Sequence, residues 1–311
     1  DAAIAKMRSY FVENLDYQGA GAVIASPGRT PALDGFGLYG GYAFHWVRDA
    51  ALSMATLQRI AGHEVGTVGF SVAAPVQKQK ADELMRAYVR WVAWMQAQNG
   101  ALDLNATPIE AHDEPKWDIS TDRPMPYAHH WCRPQTDGPG LQAQALMKFA
   151  EGQNGTERQK VWELAQWDLD WLANRSAVAE PGCDVWEETR ESDLLWNRVT
   201  MRAALLKGKY FALSMNDTQR AATYHTAAHE FVGNPVVSHL KATSGGSFLT
   251  ECPAAGGGDD CVAKGKDIDG AVILALVHSG WLDSAEIAAG LEPAGSPVRV
   301  AVAKTVQVYN E

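Results

Sequence analysis

Segments with helical periodicity recur along most of the chain, and they limit the fold more than any other feature of the sequence. The segment 73–99 is one example. Its residues Leu84, Tyr88, Trp91, Val92 and Met95 fall on one face of a helix, and Gly100 follows as a stop signal. The predicted helices span residues 2–14, 48–60, 73–99, 139–152, 157–174, 191–214, 217–232, 267–279, 283–290 and 296–309.

The connections between these helices favour a closed arrangement. Strands are expected to be few, with one short candidate around 22–25. Short and long connections alternate, which suits antiparallel helix pairs whose loops gather at one end. An open superhelix of helix pairs would show a repeat of fixed length, and none occurs. We therefore predict an all-α fold in the form of a closed helical toroid.

A long loop is predicted at 101–138, where five Pro residues interrupt any periodic pattern. Loops of this length inside a compact domain are usually functional or disordered. The stretch carries aromatic and cationic side chains, among them Trp117, Trp131 and Arg133. Its composition therefore favours a functional loop. A second long loop is predicted at 240–265.

The charge balance argues against two classes of partner. The chain has 27 Lys and Arg against 37 Asp and Glu, a net charge of −10. A protein that binds nucleic acid or an anionic membrane carries basic clusters, and none is present here. No apolar run approaches the roughly 20 residues of a membrane span. We expect neither partner, and the sequence predicts neither a metal site nor a cofactor.

Cysteines and glycosylation motifs predict an extracellular protein. Cys252 and Cys261 flank a Gly- and Asp-rich loop that a disulfide could close, whereas four buried thiols are the alternative. Four Asn-x-Ser/Thr motifs favour the disulfide and a secreted glycoprotein. The asparagines of these motifs are Asn105, Asn154, Asn174 and Asn216.

Paired acids mark the segment Asp184-Val-Trp-Glu187-Glu188 as a candidate for catalysis. A carboxyl group beside Trp186 can be desolvated, which raises its pKa and suits it to act as a general acid. The alternative is that the acids decorate the N-terminus of the next helix, where the helix dipole favours them. On these residues alone, the helix-end reading is favoured.

Three other segments could hold a substrate, although each also has a purely structural reading. Arg48 and Asp49 could grip adjacent hydroxyl groups, or they could cap a helix. The segment 131–140 is a rigid turn that leads into a helix, with Asp137 as a possible cap. The weakest is Gly265-Lys-Asp, another predicted helix start.

These four segments, in this order, resemble the glucoamylase family of glycoside hydrolases. The family pattern has Trp-x-Arg-Asp, Arg-Pro-Gln-x-Asp-Gly-Pro, Asp-Leu-Trp-Glu-Glu and Gly-Lys-Asp. This sequence has them at 46–49, 133–139, 184–188 and 265–267. The resemblance implies an (α/α)6 barrel and removal of glucose from the non-reducing ends of starch with inversion. Residues 1–311 would then form the N-terminal portion of one catalytic domain, without its last helices.

The resemblance also implies roles for individual residues. Glu187 would be the general acid that protonates the glycosidic oxygen. The implied substrate-binding residues are Tyr42, Trp46, Arg48, Asp49, Lys116, Trp131, Arg133, Asp184, Trp186 and Glu188. This sequence departs from the family pattern at Ala43, at His45 and at Cys132, which replaces a Gly before the Arg.

An inverting glycosidase needs a second carboxylate that activates water. The family keeps this base on a late segment resembling Ser-x-Glu-Gln, which does not occur in these 311 residues. We expect a missing or separate second piece, such as another polypeptide that carries the rest of the barrel and the base. The alternatives are a non-catalytic α-glucan-binding relative, or a trehalase- or glucodextranase-type hydrolase on the same fold.

Overall fold

Helices dominate the computed structural model of this chain, as the periodicity predicts. The structure describes residues 2–25, 32–33, 39–40, 44–61, 78–101, 108, 110–119, 125–126, 132–178, 181–191, 193–231, 239–243, 246–253 and 269–278. The helices are α1 (Ala2–Glu13), α2 (Val47–Ala61), α3 (Lys78–Ala97), α4 (Asp137–Glu151), α5 (Gly155–Val178), α6 (Leu195–Ser214), α7 (Thr218–Thr226) and α8 (Gly270–His278). A 3-10 turn lies at Tyr17–Gly19, and a π-helical turn at Ala227–Phe231 continues α7.

Short antiparallel strands join the helices. They are β1 (Ala32–Leu33), β2 (Tyr39–Gly40), β3 (Phe44–Trp46), β4 (Lys116–Asp118), β5 (Met125–Pro126), β6 (Gly182–Cys183), β7 (Arg190–Glu191), β8 (Leu240–Thr243) and β9 (Gly246–Leu249). β3, β4 and β5 form one sheet, in which Trp46 lies opposite Lys116. The other strands pair in twos: β1 with β2, β6 with β7, and β8 with β9.

Several predicted boundaries need correction. Residues 22–25 are irregular rather than a strand. α6 begins at Leu195 rather than 191, because Arg190 and Glu191 pair with β6 instead. Parts of both predicted long loops form strands. The predicted helices 283–290 and 296–309 lie outside the described residues.

Two compact units make up the chain. The first consists of residues 1–131 and 141–167, and the second of 132–140 and 168–311. That residues 1–311 form a single catalytic-domain portion stays a prediction.

In the first unit, the amphipathic face of α3 builds the core. The residues predicted for this face are all buried: Leu84, Tyr88, Trp91, Val92 and Met95. The chain before α2 packs closely on this helix. A Cβ at Gly21 would overlap the carbonyl of Ala87, and Gly21 has a φ of +81°. Only glycine fits there without strain.

In the second unit, the core forms around α6. Leu195 and Trp196 at its N-terminus are 0% and 1% exposed. The buried carboxylate of Glu251 accepts the backbone N–H of Trp196, with N–O distances of 3.2 and 3.3 Å to its two oxygens. Glu251 thereby satisfies a donor that the start of a helix leaves without an intrahelical partner. Further along α6, a Cβ at Gly208 would crowd the side chain of Leu169, so α5 and α6 approach closely at this glycine.

The structure contains a disulfide that the sequence does not predict, while the predicted Cys252–Cys261 pair stays a prediction. Cys132 and Cys183 form a disulfide with a Cα–Cα distance of 5.9 Å. Cys252 is also disulfide-bonded, and Cys261, its predicted partner, lies outside the described residues. None of the cysteines in the described part is free, so the alternative of four buried thiols is wrong. Within the same part, no helix combines the length and apolar character needed to cross a membrane.

Candidate active site

The predicted general acid lies in the tight turn that joins β6 to β7. Asp184, at the start of this turn, is fully buried. Its Oδ1 accepts the backbone N–H groups of Glu188 and Thr189 at 2.7 and 3.0 Å. Its carbonyl oxygen accepts the N–H of Glu187 at 3.0 Å. Asp184 therefore stabilises the turn through hydrogen bonds to its backbone, a role that the family resemblance does not imply. Its role in sugar binding stays a prediction.

Glu187 is held in a constrained position within this turn. Its φ of +64° is in the left-handed region, which costs a non-glycine residue about 1–2 kcal/mol. The carboxylate oxygen Oε1 accepts a hydrogen bond from Nε2 of Gln135 at 2.7 Å. Gln135 is itself 2% exposed, whereas Glu187 is half-buried. The arrangement presents one carboxyl group in a defined direction, as proton donation to a substrate requires.

The helix-end reading of the acidic pair does not fit this geometry. No acidic residue lies in the first turn of α6, which begins seven residues after Glu188. Gln135 lies inside the predicted motif 133–139, but the motif alone predicts no role for it. Its contact with Glu187 joins residues 52 positions apart, so only the fold brings them together.

Trp186 projects from the same turn and is 47% exposed. Its Nε1–H donates to Oδ1 of Asp269 at 2.7 Å, and the same oxygen accepts the N–H of Ala271 at 2.8 Å. One oxygen of Asp269 thus both caps α8 and holds the indole ring in place. A fixed, exposed indole offers a flat apolar surface of the kind that packs against a sugar ring. Asp269 is not among the predicted site residues, although an Asp directly before an apolar helix is a capping signal.

A second group of predicted residues lies in the first unit, on the β3–β4 pair. The Nζ of Lys116 lies 4.1 Å from the ring centroid of Phe44 and 4.6 Å from that of Trp46. These distances are within the range of a cation–π interaction. Lys116 is 5% exposed, and its backbone N–H donates to the buried Glu114 at 3.1 Å. This cluster combines aromatic faces with hydrogen-bonding groups, the combination that sugars require.

Arg48 and Asp49 follow β3 directly, in the first turn of α2. Arg48 is buried, whereas the Asp49 side chain is 51% exposed, and the closest approach of the two groups is 3.9 Å. Asp49 in this position also favours the helix dipole. The structure is therefore compatible with both readings of this pair, and their role as sugar ligands stays a prediction.

His45 separates the two aromatic residues of β3 and is fully buried. Its Nδ1 accepts the backbone N–H of Val23 at 3.1 Å, and the ring of Trp91 lies 5.3 Å away. Burial lowers the pKa of His45 to about 3, because the charged imidazolium would lose its hydration. His45 is thus a neutral core residue that supports β3.

The remaining predicted residues are either described by their exposure or lie outside the described residues. Arg133 is half-buried beside the disulfide at Cys132, and Glu188 is exposed. Asn154, Asn174 and Asn216, three of the four predicted glycosylation sites, are exposed. Across the described ranges, no three His, Cys, Asp or Glu side chains come together as metal ligands. Other predicted positions lie outside the described residues: Tyr42, Asn105, Trp131 and 265–267.

Comparison with known proteins assigns the chain to a family. The sequence pattern of glycosyl hydrolases family 15 matches residues 6–274. The chain belongs to this family. The match includes the β6–β7 turn and the β3–β4 cluster, so both groups of residues lie in family 15 sequence.

Curated relatives of this family 15 chain are glucoamylases. The chain is 29% identical over 238 residues to a glucoamylase of Blastobotrys adeninivorans, covering 71% of this chain and 33% of the relative. It is 30% identical over 213 residues to a probable glucoamylase of Schizosaccharomyces pombe, covering 66% of this chain and 40% of the relative. The chain therefore spans between a third and two fifths of these relatives.

Solved structures of glucoamylases share the fold. The glucoamylase of Hormoconis resinae matches with a TM-score of 0.65 at 21% identity, over 96% of this chain and 45% of that one. The glucoamylase of Saccharomycopsis fibuligera matches with a TM-score of 0.65 at 19% identity, over 87% of this chain and 54% of that one. At these identities the likeness concerns the fold alone, and it confirms the predicted (α/α)6 class.

Proposed function

We propose that this family 15 chain is part of an exo-acting glycoside hydrolase that releases glucose from the non-reducing ends of α-1,4-glucans with inversion. The substrates would be starch, glycogen and maltooligosaccharides. In this proposal Glu187 is the general acid that protonates the departing glycosidic oxygen. The observation that carries it is the Glu187 carboxyl group, fixed by Gln135 at 2.7 Å on a turn inside the family 15 match.

The other residues of the turn would hold the sugar next to this acid. The exposed indole of Trp186 would stack on a glucose ring, and the exposed Glu188 would accept hydrogen bonds from its hydroxyl groups. Gln135 would orient the Glu187 carboxyl group through its amide, and this carboxyl group would donate the proton.

The β3–β4 cluster would bind glucose through a different chemistry. Arg48 offers a rigid fork of N–H donors, and Asp49 offers acceptors, so together they suit adjacent hydroxyl groups. The Lys116 ammonium group, held over two aromatic rings at 4.1 and 4.6 Å, would donate to a further hydroxyl group. Tyr42, Trp131 and Arg133 complete the proposed set of substrate-binding residues, as the family resemblance implies.

Inversion requires a second carboxylate, about 6.5–9.5 Å from the acid, which activates the attacking water. We propose that this base comes from another part of the enzyme, such as a second polypeptide that completes the barrel. We also propose that the protein is secreted and glycosylated. The disulfide and the three exposed sequon asparagines support this location.

A time course of glucose release tests the proposal. The intact protein is incubated with maltoheptaose, and the anomer formed is followed by proton NMR before mutarotation. Release of β-glucose from the non-reducing end is expected. Release of α-glucose would exclude inversion, and release of longer oligosaccharides would exclude exo action. A panel with trehalose and dextran separates the trehalase- and glucodextranase-type alternatives.

A non-catalytic α-glucan-binding protein is the second candidate. The observation that favours it is the fixed, exposed indole of Trp186, which suits sugar binding whether or not a second carboxylate is present. Titration calorimetry with maltoheptaose, combined with the assay above, separates the two. Binding without release of glucose by the intact protein would favour this candidate over the hydrolase.

A further inference from the structure

The Cys132–Cys183 disulfide joins the two segments that determine where Glu187 lies. Cys132 is three residues before Gln135, which holds the Glu187 carboxylate. Cys183 is the last residue of β6 and directly precedes the turn that begins at Asp184. The two cysteines are 51 residues apart in the sequence, so the bond connects segments that the chain itself does not hold together.

Hydrogen bonds run along the same junction. The backbone N–H of Cys183 donates to the carbonyl oxygen of Pro134 at 2.8 Å. The side-chain amide of Gln135 donates to the carbonyl oxygen of Cys132 at 3.3 Å as well as to Glu187 at 2.7 Å. Asn197 of α6 donates to the carbonyl oxygen of Cys183 at 2.8 Å. At the base of the turn, the N–H and the carbonyl oxygen of Cys183 are thus hydrogen-bonded, and its sulfur is bonded to Cys132.

Regular secondary structure alone does little to hold these segments in place. β6 and β7 form only two residue pairs, and a hairpin this short is marginal without other support. Residues 132–135 have no regular structure at all. The contact between Gln135 and Glu187 therefore depends on what fixes the two segments relative to each other, and the disulfide is the covalent element at that place.

We propose that Cys132 and Cys183 are positioning residues for the general acid, and that their disulfide keeps the Glu187 carboxyl group against Gln135. The proposal rests on the proposed function, in which Glu187 donates the proton. The family resemblance has Gly in place of Cys132, so the bond is a feature of this chain beyond the shared motif. A displacement of about 1 Å in a catalytic group can reduce the rate by about 100-fold.

Loss of the bond should therefore affect the chemical step more than substrate binding. We expect kcat to fall about 10- to 100-fold. KM should rise by a smaller factor, because the proposed sugar ligands Arg48, Asp49 and Lys116 lie outside the linked segments, although Trp186 and Glu188 lie in the turn itself.

The experiment uses the intact protein with Cys252→Ser and Cys261→Ser, which leaves Cys132–Cys183 as the one disulfide within these 311 residues. Dithiothreitol then reduces that bond without denaturant: its two thiol groups supply two electrons and two protons and become a cyclic disulfide, while Cys132 and Cys183 become thiols. Cys132 is half-buried and Cys183 is fully buried, so we expect the thiolate to attack at Cys132. A thiol titration checks that two groups appear, and reoxidation should restore the starting behaviour.

Two readouts are taken before and after reduction. One is kcat and KM on maltoheptaose. The other is amide hydrogen exchange in residues 184–189, which reports the turn whether or not the protein is active. We expect exchange there to accelerate about tenfold, with α3 unchanged. The matched control carries Cys132→Ser and Cys183→Ser and keeps the other cysteines; its turn should exchange fast from the start, and dithiothreitol should not alter it. This control also replaces reduction if the bond resists the reagent.

The outcomes separate this proposal from the proposed function. Faster exchange with a kcat that falls by a larger factor than KM rises supports it. Unchanged exchange overturns it, as does faster exchange with an unchanged kcat in an active enzyme. If the oxidised protein releases no glucose but exchange still accelerates, the bond holds the turn, and the failure lies in the proposed function instead.

Discussion

The burial of His45 predicts how much the free energy of unfolding decreases at acid pH. Its side chain is fully buried, and its Nδ1 is occupied by the N–H of Val23. The folded protein therefore holds a neutral imidazole whose proton is on Nε2. Burial lowers the pKa of His45 from 6.5 to about 3.

This pKa difference fixes the sign and the size of the effect. The unfolded chain takes up the proton near pH 6.5, but the folded chain takes it up only near pH 3. Between these values the unfolded state binds more protons, so the free energy of unfolding decreases as the pH falls, by about 1.4 kcal/mol per pH unit. From about pH 7 to about pH 4.5, this group alone should cost about 2.5 kcal/mol. For a chain of this length, the corresponding decrease in Tm is roughly 4 °C.

The substitution His45→Asn isolates the contribution. The Asn Oδ1 can still accept the N–H of Val23, but the side chain does not titrate. Urea unfolding of both proteins is measured between about pH 4.5 and about pH 7. All other groups titrate alike in the two proteins, so the parent should lose about 2.5 kcal/mol more than the variant. If the two curves of unfolding free energy against pH are parallel, their constant offset reports only the smaller side chain, and the predicted effect of His45 titration is refuted.

Three further predictions concern single contacts. Gly21→Ala should lower the free energy of unfolding by at least about 2 kcal/mol, because its Cβ would overlap the carbonyl of Ala87; Gly19→Ala, with similar φ and open space, should cost only about 1 kcal/mol, as urea unfolding can show. Lys116→Met should raise KM for maltoheptaose about tenfold with little change in kcat, and a change in kcat alone would contradict a binding role. Asp217→Ala should cost about 1 kcal/mol in urea unfolding by removing the N-cap of α7, whereas Asp217→Asn should cost much less.

The sequence predicts the helical framework well because helices carry a repeating apolar pattern. The buried face of α3 follows that pattern residue by residue. Strands such as β6 and β7 have two residues each, which is too short to show the alternation of apolar and polar residues that predicts a strand. Because β7 is too short to show a strand pattern, the helical pattern predicts the start of α6 four residues too early, within β7.

The candidate site was predictable as a set of residue types but not as a set of contacts. The motif identified Glu187, but the Gln135 amide that holds it is 52 residues away in the sequence. Spacing suggested Cys252 and Cys261 as a disulfide, whereas the pairing of Cys132 with Cys183 depends on which segments the fold brings together. The buried environment of Asp184 is likewise a property of the folded turn.

The most direct test of the central claim is the dependence of the Glu187→Gln variant on the leaving group. Maltoheptaose needs a proton on its departing oxygen, whereas fluoride leaves α-glucosyl fluoride without one. If Glu187 is the general acid, the variant should lose at least about 100-fold in kcat on maltoheptaose. On α-glucosyl fluoride it should stay within about tenfold of the parent. Equal losses on both substrates, or near-normal turnover of maltoheptaose, would contradict the assignment of Glu187 as the proton donor.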